Sequence, residues 1–306
     1  RPDAMPLVRR STDSIIAWQG WRLGVPSRWS PVKLDGGYDS GYLLLADLTR
    51  PRLGVKWARQ LRRRFEPSKW AARIMREEVG RLAADEAVSH DVEGFEGGLL
   101  YSEPEPPGRD VWLGYSPRSR RTLLLSYFSR RRERALPSSI LPGLEDLDPE
   151  GPMPWSIYEL SCVAPAGMRL ESHSLNAGDL ALGFTGRRQR LIVRQIAVAG
   201  LALARLPLEK WLVGQARLAG KHYKKAGDVE PAQLEAAGQT LEGLKQRLVR
   251  RRRFFYRFLI AKQIACCAWH DRRRDRLILT LSSDEEMGDE VARTVGWAWS
   301  AQGPEK

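Results

Sequence analysis

Apolar residues in this chain recur in short runs with the two-residue period of a β-strand. Leu43 and Leu45 fall on one side of residues 40–47, and Leu53 and Val55 share one side of the run that follows. Because side chains alternate across a strand, such runs predict strands buried on at least one face. The runs AVSHDVEGF, GGLLYSE, DVWLGY and TLLLSYF predict further strands downstream, so each half of the chain is expected to contain an antiparallel sheet.

Three segments show the spacing of an amphipathic helix instead. A helix is predicted over residues 68–84 with Ser68 as its N-cap, and a second over residues 230–250, where Gly243 is one of two weakening glycines. A C-terminal helix is predicted to open on the capping box SDEE at 283–286, formed by its serine and its last glutamate. The apolar faces of the three helices are Ala71, Met75, Val79 and Leu82; Leu234, Ala237, Leu241, Leu244 and Leu248; and Met287, Val291 and Val295.

The two halves of the chain resemble each other. YSPRSRRTLLL (115–125) aligns without a gap on WHDRRRDRLIL (269–279). Four further pairs of segments lie upstream of these two and occur in the same order in both halves. Those pairs are LGVPSRW with CVAPAGM, SGYLLLAD with AGDLALGF, RPRLGVKW with RRQRLIVRQ, and EPSKW with PLEKW. Matches that keep one order along the chain predict a tandem duplication.

The segment LPSSILPGLEDLDPEGPMPW separates the two halves. It contains five prolines and four carboxylates, a composition that favours an extended chain. We therefore expect a first domain at 1–136, a Pro-rich acidic linker at 137–155, and a second domain at 156–306 with a longer helical insertion and a C-terminal helix. The predicted fold class is α+β, with two similar antiparallel sheet-plus-helix sandwich domains that arose by internal duplication.

This order of elements, with the Trp- and Pro-containing strand WRLGVPSRW and a glycine opening the next strand, resembles the PsbP-like fold. That fold is shared by an extrinsic subunit of photosystem II and a Ran-binding nuclear import factor. The resemblance implies a non-catalytic binding or assembly protein. It rests on pattern and carries over no functional residue.

Composition adds a strong positive charge to this picture. The formal net charge is +13 and the sequence pI is about 10, which suits an acidic protein or a nucleic acid as partner. Arginine far outnumbers lysine, as GC-rich coding also produces, so its abundance alone is weak evidence. The apolar run IAVAGLALA at 196–204 is too short to span a bilayer, which takes about 20 residues. The N-terminal stretch lacks the apolar core of a secretory signal, and a cytoplasmic location is expected.

The stretch WHDRRRDRLILTL raises the question of catalysis. His270 and Asp271 are predicted to lie in a hairpin turn, and residues four apart on an extended strand, such as Cys266 and His270, are separated by about 13 Å. The spacing of the cysteines predicts neither a disulfide framework nor a zinc site. We predict no enzyme activity, cofactor or metal. The alternative is an enzyme of unknown class centred on Cys266, Cys267 and His270.

Arginine runs are the remaining functional signal. The predicted function is a non-catalytic binding or assembly subunit of a multi-component bacterial complex, which contacts an acidic partner through basic hairpin tips and sheet faces. The alternative is a nucleic-acid-binding accessory protein that uses the stretch 249–258, where forked guanidinium donors precede aromatic rings. The predicted contact residues are Arg250, Arg251, Arg252, Arg253, Phe254, Tyr256, Arg272, Arg273, Arg274, Arg118, Arg120 and Arg121.

Overall fold

The computed structural model describes residues 14–60, 66–103, 108–128, 139–236, 239–251 and 261–296. Of these residues, 53% lie in strands and 20% in helices. The α+β prediction is therefore wrong: the fold is β-rich, with large antiparallel sheets and few short helices. The chain divides between Leu147 and Asp148 into two compact units.

The first unit is a β-hairpin followed by a seven-stranded sheet of order β3-β4-β5-β9-β8-β7-β6. In the hairpin β1 pairs with β2, which also pairs with the short strand β10. The elements are β1 Ser14–Trp18, β2 Trp21–Val25, β3 Ser30–Gly36, β4 Ser40–Ala46, β5 Pro51–Arg59, α1 Pro67–Val79, α2 Arg81–Asp85, β6 Val88–Ser89, β7 Glu96–Ser102, β8 Arg109–Ser116, β9 Arg121–Phe128, a 3₁₀ turn at Leu141–Gly143, and β10 Glu145–Asp146.

The second unit is also a hairpin followed by a sheet, of order β13-β14-β15-β20-β19-β18-β16, with β17 paired to β18 beside β16. Its elements are β11 Met153–Ile157, β12 Leu160–Ala164, β13 Arg169–Asn176, β14 Asp179–Gly186, β15 Gln189–Ala197, α3 Ala199–Arg205, α4 Leu208–Gln215, a 3₁₀ turn at Ala216–Ala219, β16 Tyr223–Lys225, β17 Glu230–Ala236, β18 Gln239–Arg250, β19 Gln263–Asp271, β20 Arg276–Ser282, and α5 Glu285–Thr294.

The two units share their strand order and their register. Leu43 pairs with Val55 in the first sheet, and Leu182 pairs with Val193 at the equivalent place in the second; all four side chains are fully buried. The equivalence follows from the last strands, which open on Arg121 and Arg276: counted from these two residues, Val55 takes the place of Val193 and Leu43 that of Leu182. The alignment of SGYLLLAD with AGDLALGF, which sets Leu45 against Leu182, is therefore two residues out of register; burial does not reveal this, because a shift of two keeps each side chain on the same face. A common order and register are what the predicted duplication requires.

Register also corrects the sequence alignment of the two last hairpins. The hairpin of β8 and β9 closes on the pair Ser116 and Arg121, and the hairpin of β19 and β20 closes on the pair Asp271 and Arg276. Ser116 therefore corresponds to Asp271 and not, as the letters suggest, to His270. The sequence alignment is one residue out of register because both turns are rich in arginine, and their arginines align equally well when shifted by one residue.

The helix predicted over residues 230–250 is instead the hairpin of β17 and β18, in which Leu234 lies opposite Leu241. Leu244 and Leu248 belong to the core packed beneath α4, whereas Leu241 lies on the other face of β18, the face from which Lys245 reaches Glu285 in α5. Because both faces of this strand are covered, leucines occur on both, and their spacings of three and four imitate a helix.

The other two predicted helices exist with altered ends. The first begins at Pro67 after Glu66, without the Ser68 cap, and ends at Val79. Gly80 follows it with a φ of 88°, which is open to glycine but strained for other residues. The predicted buried positions Met287 and Val291 in α5, and Val295 directly after it, are confirmed.

The N-cap of α5 is Asp284, one residue beyond the predicted Ser283. Its carboxylate accepts a hydrogen bond from the backbone N of Met287 at 3.2 Å. We expect Asp284→Ala to lower the free energy of unfolding by about 1 kcal/mol, because an amide at the helix start loses its acceptor. Denaturant titration measures the change. Ser283→Ala is the comparison. A larger loss of unfolding free energy in Ser283→Ala than in Asp284→Ala would show that Ser283 is the N-cap, as the capping box predicts.

Part of the predicted linker lies in the core of the first unit. Ile140, Leu141, Leu144 and Leu147 are buried, and the strand β10 between the last two pairs with β2. Prolines and carboxylates dominate the composition here, but four apolar side chains are enough to bind the segment to the sheet.

Candidate functional site at the basic end of the second sheet

The structure places the predicted contact residues of the second unit at opposite ends of its sheet. Arg250 ends β18 and Arg251 follows it, whereas residues 272–274 form the turn between β19 and β20. The nine residues of β19 run between these two places, a distance of about 27 Å. Arg252, Arg253, Phe254 and Tyr256 lie outside the described residues.

In the turn between β19 and β20, two of the three arginines form salt bridges with nearby carboxylates. Arg272 pairs with Glu242 at 3.2 Å. Arg274 lies 3.3 Å from the carboxylate of Asp271, which is buried and also accepts from the backbone N of Arg274. Only Arg273 is left exposed without a salt bridge among the described residues of this turn. The stretch WHDRRRDRLILTL is a hairpin, as predicted, but His270 and Asp271 are the last two residues of β19 and do not lie in the turn.

In the first unit, Arg118 and Arg120 are exposed on the equivalent turn, but Arg121 is fully buried. The Nη1 atom of Arg121 lies 3.6 Å from Asp146, and its Nη2 donates to the backbone O of Tyr38 at 3.3 Å. The prediction that Arg121 contacts a partner is therefore wrong. Nothing in the sequence separates it from its exposed neighbours.

Asp146 completes a buried polar network around this arginine. Its carboxylate accepts from the hydroxyls of Ser116 at 2.7 Å and Ser119 at 2.9 Å. Burial raises the pKa of Asp146 and lowers the pKa of Arg121, since each charged form has lost water. The network joins β10 to the turn between β8 and β9, so its role is to hold the first unit together.

The cysteines of the enzyme alternative are buried. Cys266 is fully buried in the core beneath α4, and burial raises its pKa above the ordinary thiol range. Burial likewise raises the pKa of Cys267 to about 12 and that of Cys162 to about 12. A nucleophilic cysteine needs an accessible thiolate, and these thiols are held protonated inside the sheet. Among the described residues, no cluster of His, Cys, Asp and Glu could hold a metal ion.

A group of cations at the other end of the second sheet has the character of a contact surface. We call it the basic end; it comprises Arg190, Lys221, Lys224, Lys225, Arg250, Arg251 and Lys262. Of this group, only Arg250 and Arg251, the first two arginines of the run at 250–253, are among the predicted contact residues. The lysines come from the sequence KHYKK at 221–225 and from the start of β19, and KHYKK was the signal available to find them.

The backbone of the basic end is firmly held. Arg251 donates its backbone N to the O of His222 at 2.8 Å, and Arg250 donates to the O of Lys262 at 3.0 Å. Tyr223 is buried between them, and its hydroxyl donates to the O of Ala261 at 3.0 Å. The cations therefore extend from a fixed frame in which β16 is an outer strand of the sheet.

Five of these cations have no acidic partner among the described residues. Among the described residues, no carboxylate lies within salt-bridge distance of Lys221, Lys224, Lys225, Arg251 or Lys262, and all five residues are exposed. This contrasts with the turn of the second hairpin, where Glu242 and Asp271 neutralise two arginines. Unpaired exposed charges of one sign produce a local potential that attracts a partner of the opposite sign.

No family model matches this chain, and no curated protein matches it. The resemblance to the PsbP-like fold therefore stays a prediction. No helix among the described residues is long and apolar enough to cross a membrane.

Proposed function

We propose that this protein is a non-catalytic binding or assembly subunit that holds an acidic protein partner on the basic end. The observation that carries the proposal is the set of exposed lysines and arginines without a carboxylate among the described residues. The hairpin turns contribute less, because Arg272 and Arg274 are paired locally.

An extended acidic segment fits this surface better than a nucleic acid. The strand β16 lies at the edge of the sheet with Lys224 and Lys225 exposed, an arrangement that suits a partner strand with carboxylates. Binding of unpaired bases relies on exposed aromatic rings, whereas Tyr223, the aromatic residue in the described part of the basic end, is buried. Nucleic acid is accordingly the competing outcome of the test.

The test measures binding of the full chain to a fluorescent poly-glutamate peptide, a single-stranded oligonucleotide and a duplex over a salt series. We expect the triple variant Lys221→Ser/Lys224→Ser/Lys225→Ser to weaken peptide binding about tenfold, since each ion pair contributes a modest energy. The matched control, Arg118→Ser/Arg120→Ser/Arg273→Ser, removes the same charge from the two hairpin turns and is expected to change affinity less than twofold.

Equal weakening by both triple variants would show that net charge alone drives binding and would reject the basic end as the site. Tighter binding of an oligonucleotide, with log K falling by about 0.7–0.9 per phosphate contact per log unit of salt, would replace the acidic protein by nucleic acid. Failure to bind the peptide even at low salt also contradicts the proposal.

A further inference from the structure

The second unit contains a cleft of about 340 Å³ on the helix-covered side of its sheet. Ser172 and Ser174 of β13 line it together with Arg194 of β15 and Arg217 of the 3₁₀ turn after α4. Ala181, Ile192 and Leu218 provide an apolar wall. Its volume is at the small end of ligand sites, which run from about 300 to 1,000 Å³.

The first unit shows what fills the equivalent space when no cleft is present. By register, the pair Ala181 and Arg194 corresponds to the pair Tyr42 and Lys56. The Tyr42 ring lies over Gly54, close enough that a Cβ on this glycine would come within 3.3 Å of the phenolic oxygen. In the second unit Ala181 replaces that tyrosine and Ile192 replaces Gly54, so no ring occupies this place and both aliphatic side chains line the cleft.

Arg194 is held in a fixed orientation at the cleft. Its Nε and Nη2 donate to the two carboxylate oxygens of Asp179 at 2.7 and 2.5 Å, and its Nη1 donates to the amide oxygen of Gln215. A guanidinium carries five N–H donors, so two remain for another acceptor. Because both neighbours orient the group in advance, a ligand would lose little side-chain entropy on binding it.

The lining has a net positive charge. Asp179 neutralises Arg194, and Arg217 adds a second guanidinium that is exposed and has no salt bridge among the described residues. Guanidinium groups match the oxygen geometry of phosphate and carboxylate, and the hydroxyls of Ser172 and Ser174 are further donors. The apolar wall opposite them suits a carbon body.

We propose that this cleft binds a small organic oxyanion. Its phosphate or carboxylate group contacts Arg194 and Arg217, and its apolar body lies on Ala181, Ile192 and Leu218. The site belongs to the second unit alone, because Tyr42 fills the corresponding position in the first. None of its lining residues belongs to the basic end, and it does not depend on the function proposed for that surface.

Titration calorimetry of the full chain with phenyl phosphate, benzoate and inorganic phosphate tests this site. We expect saturable binding, with phenyl phosphate or benzoate tighter than inorganic phosphate because only they reach the apolar wall. The variant Ala181→Tyr/Ile192→Gly rebuilds the arrangement of the first unit and is expected to weaken binding at least about tenfold. The matched control is Tyr42→Ala, which opens space in the first unit and is expected to leave the affinity unchanged.

Arg217→Gln provides an independent readout at an exposed position, where loss of folding is not expected. It should weaken binding of phenyl phosphate severalfold while the melting temperature stays constant. Wild-type affinity in both Ala181→Tyr/Ile192→Gly and Arg217→Gln would overturn the proposal, as would the absence of saturable binding by all three probes. Equal affinity for phenyl phosphate and inorganic phosphate would overturn the role of the apolar wall.

Discussion

Replacing Arg121 by methionine is expected to lower the free energy of unfolding of the first unit by about 3–5 kcal/mol. The substitution leaves the carboxylate of Asp146 buried with two serine hydroxyls as hydrogen-bond partners and the exposed Arg118 as the weaker remaining charge. A buried ion that loses its counter-ion keeps the cost of lost water without the compensating attraction. Denaturant unfolding followed by tryptophan fluorescence measures this loss, with Arg118→Met on the same turn as the exposed control.

The loss at Arg121 should depend on pH. Burial raises the pKa of Asp146, and the arginine acts in the opposite direction, so its removal leaves that pKa higher still. Between the native pKa of the wild type and the higher native pKa of the variant, only the folded variant binds this proton, so in this window the variant gains stability as pH falls while the wild type does not. The difference in unfolding free energy between the wild type and Arg121→Met should therefore shrink as the pH falls through this window.

A double variant separates the charge from the packing. We expect Arg121→Met/Asp146→Leu to regain most of the stability lost in Arg121→Met, because an apolar pair leaves no buried charge without a partner. An Arg121→Met variant as stable as Arg118→Met, at neutral pH, would contradict the buried network.

Gly243→Ala is expected to destabilise the second unit by about 1–3 kcal/mol, as overpacking in a core does. A Cβ at this position would lie 2.4 Å from the backbone O of Ala268 and 2.7 Å from the Trp269 ring. Gly243 pairs with Trp269 across β18 and β19, so the indole lies over the glycine. Because the nearest atom belongs to the backbone, a side-chain rotation cannot relieve the contact.

The same substitution distinguishes the hairpin from the helix predicted over residues 230–250. In an exposed helix, glycine to alanine stabilises by about 1 kcal/mol, so the two structures predict changes of opposite sign. Gly214→Ala is the matched control, since this glycine is exposed in α4 with nothing within 4 Å of an added Cβ. We expect that variant to gain stability in thermal unfolding. A gain of stability in Gly243→Ala as well would contradict the assignment of this segment to a strand.

Sequence pattern predicts the sheet strands well where one face dominates the core. Leu43, Leu45, Leu53 and Val55 are fully buried, as their period of two indicates. The pattern fails in β18 because both faces of that strand are covered, so apolar residues no longer alternate with polar ones. The wrong fold class follows largely from this segment, which added a long helix where a hairpin lies.

The candidate site was harder to predict than the fold. Arg118, Arg120 and Arg121 are neighbours in sequence, yet the first two are exposed and the third lies in the core opposite Asp146. Whether an arginine is available depends on carboxylates distant in sequence, which composition does not reveal. The lysines of the basic end come from two segments, 221–225 and the start of β19, which meet only after the sheet forms.

The arginine that opens the last strand of each sheet also constrains how the units acquire their structure. Arg121 packs so closely beneath the first hairpin turn that a Cβ on Gly20 would come within 2.7 Å of it, and Arg276 bonds Glu159 at the equivalent turn, 117 residues earlier in the chain. Contacts between such distant parts of the chain carry a large loop-closure entropy and slow folding. During synthesis each unit would thus stay incomplete until its final hairpin leaves the ribosome, with its opening hairpin exposed to other chains in the interval.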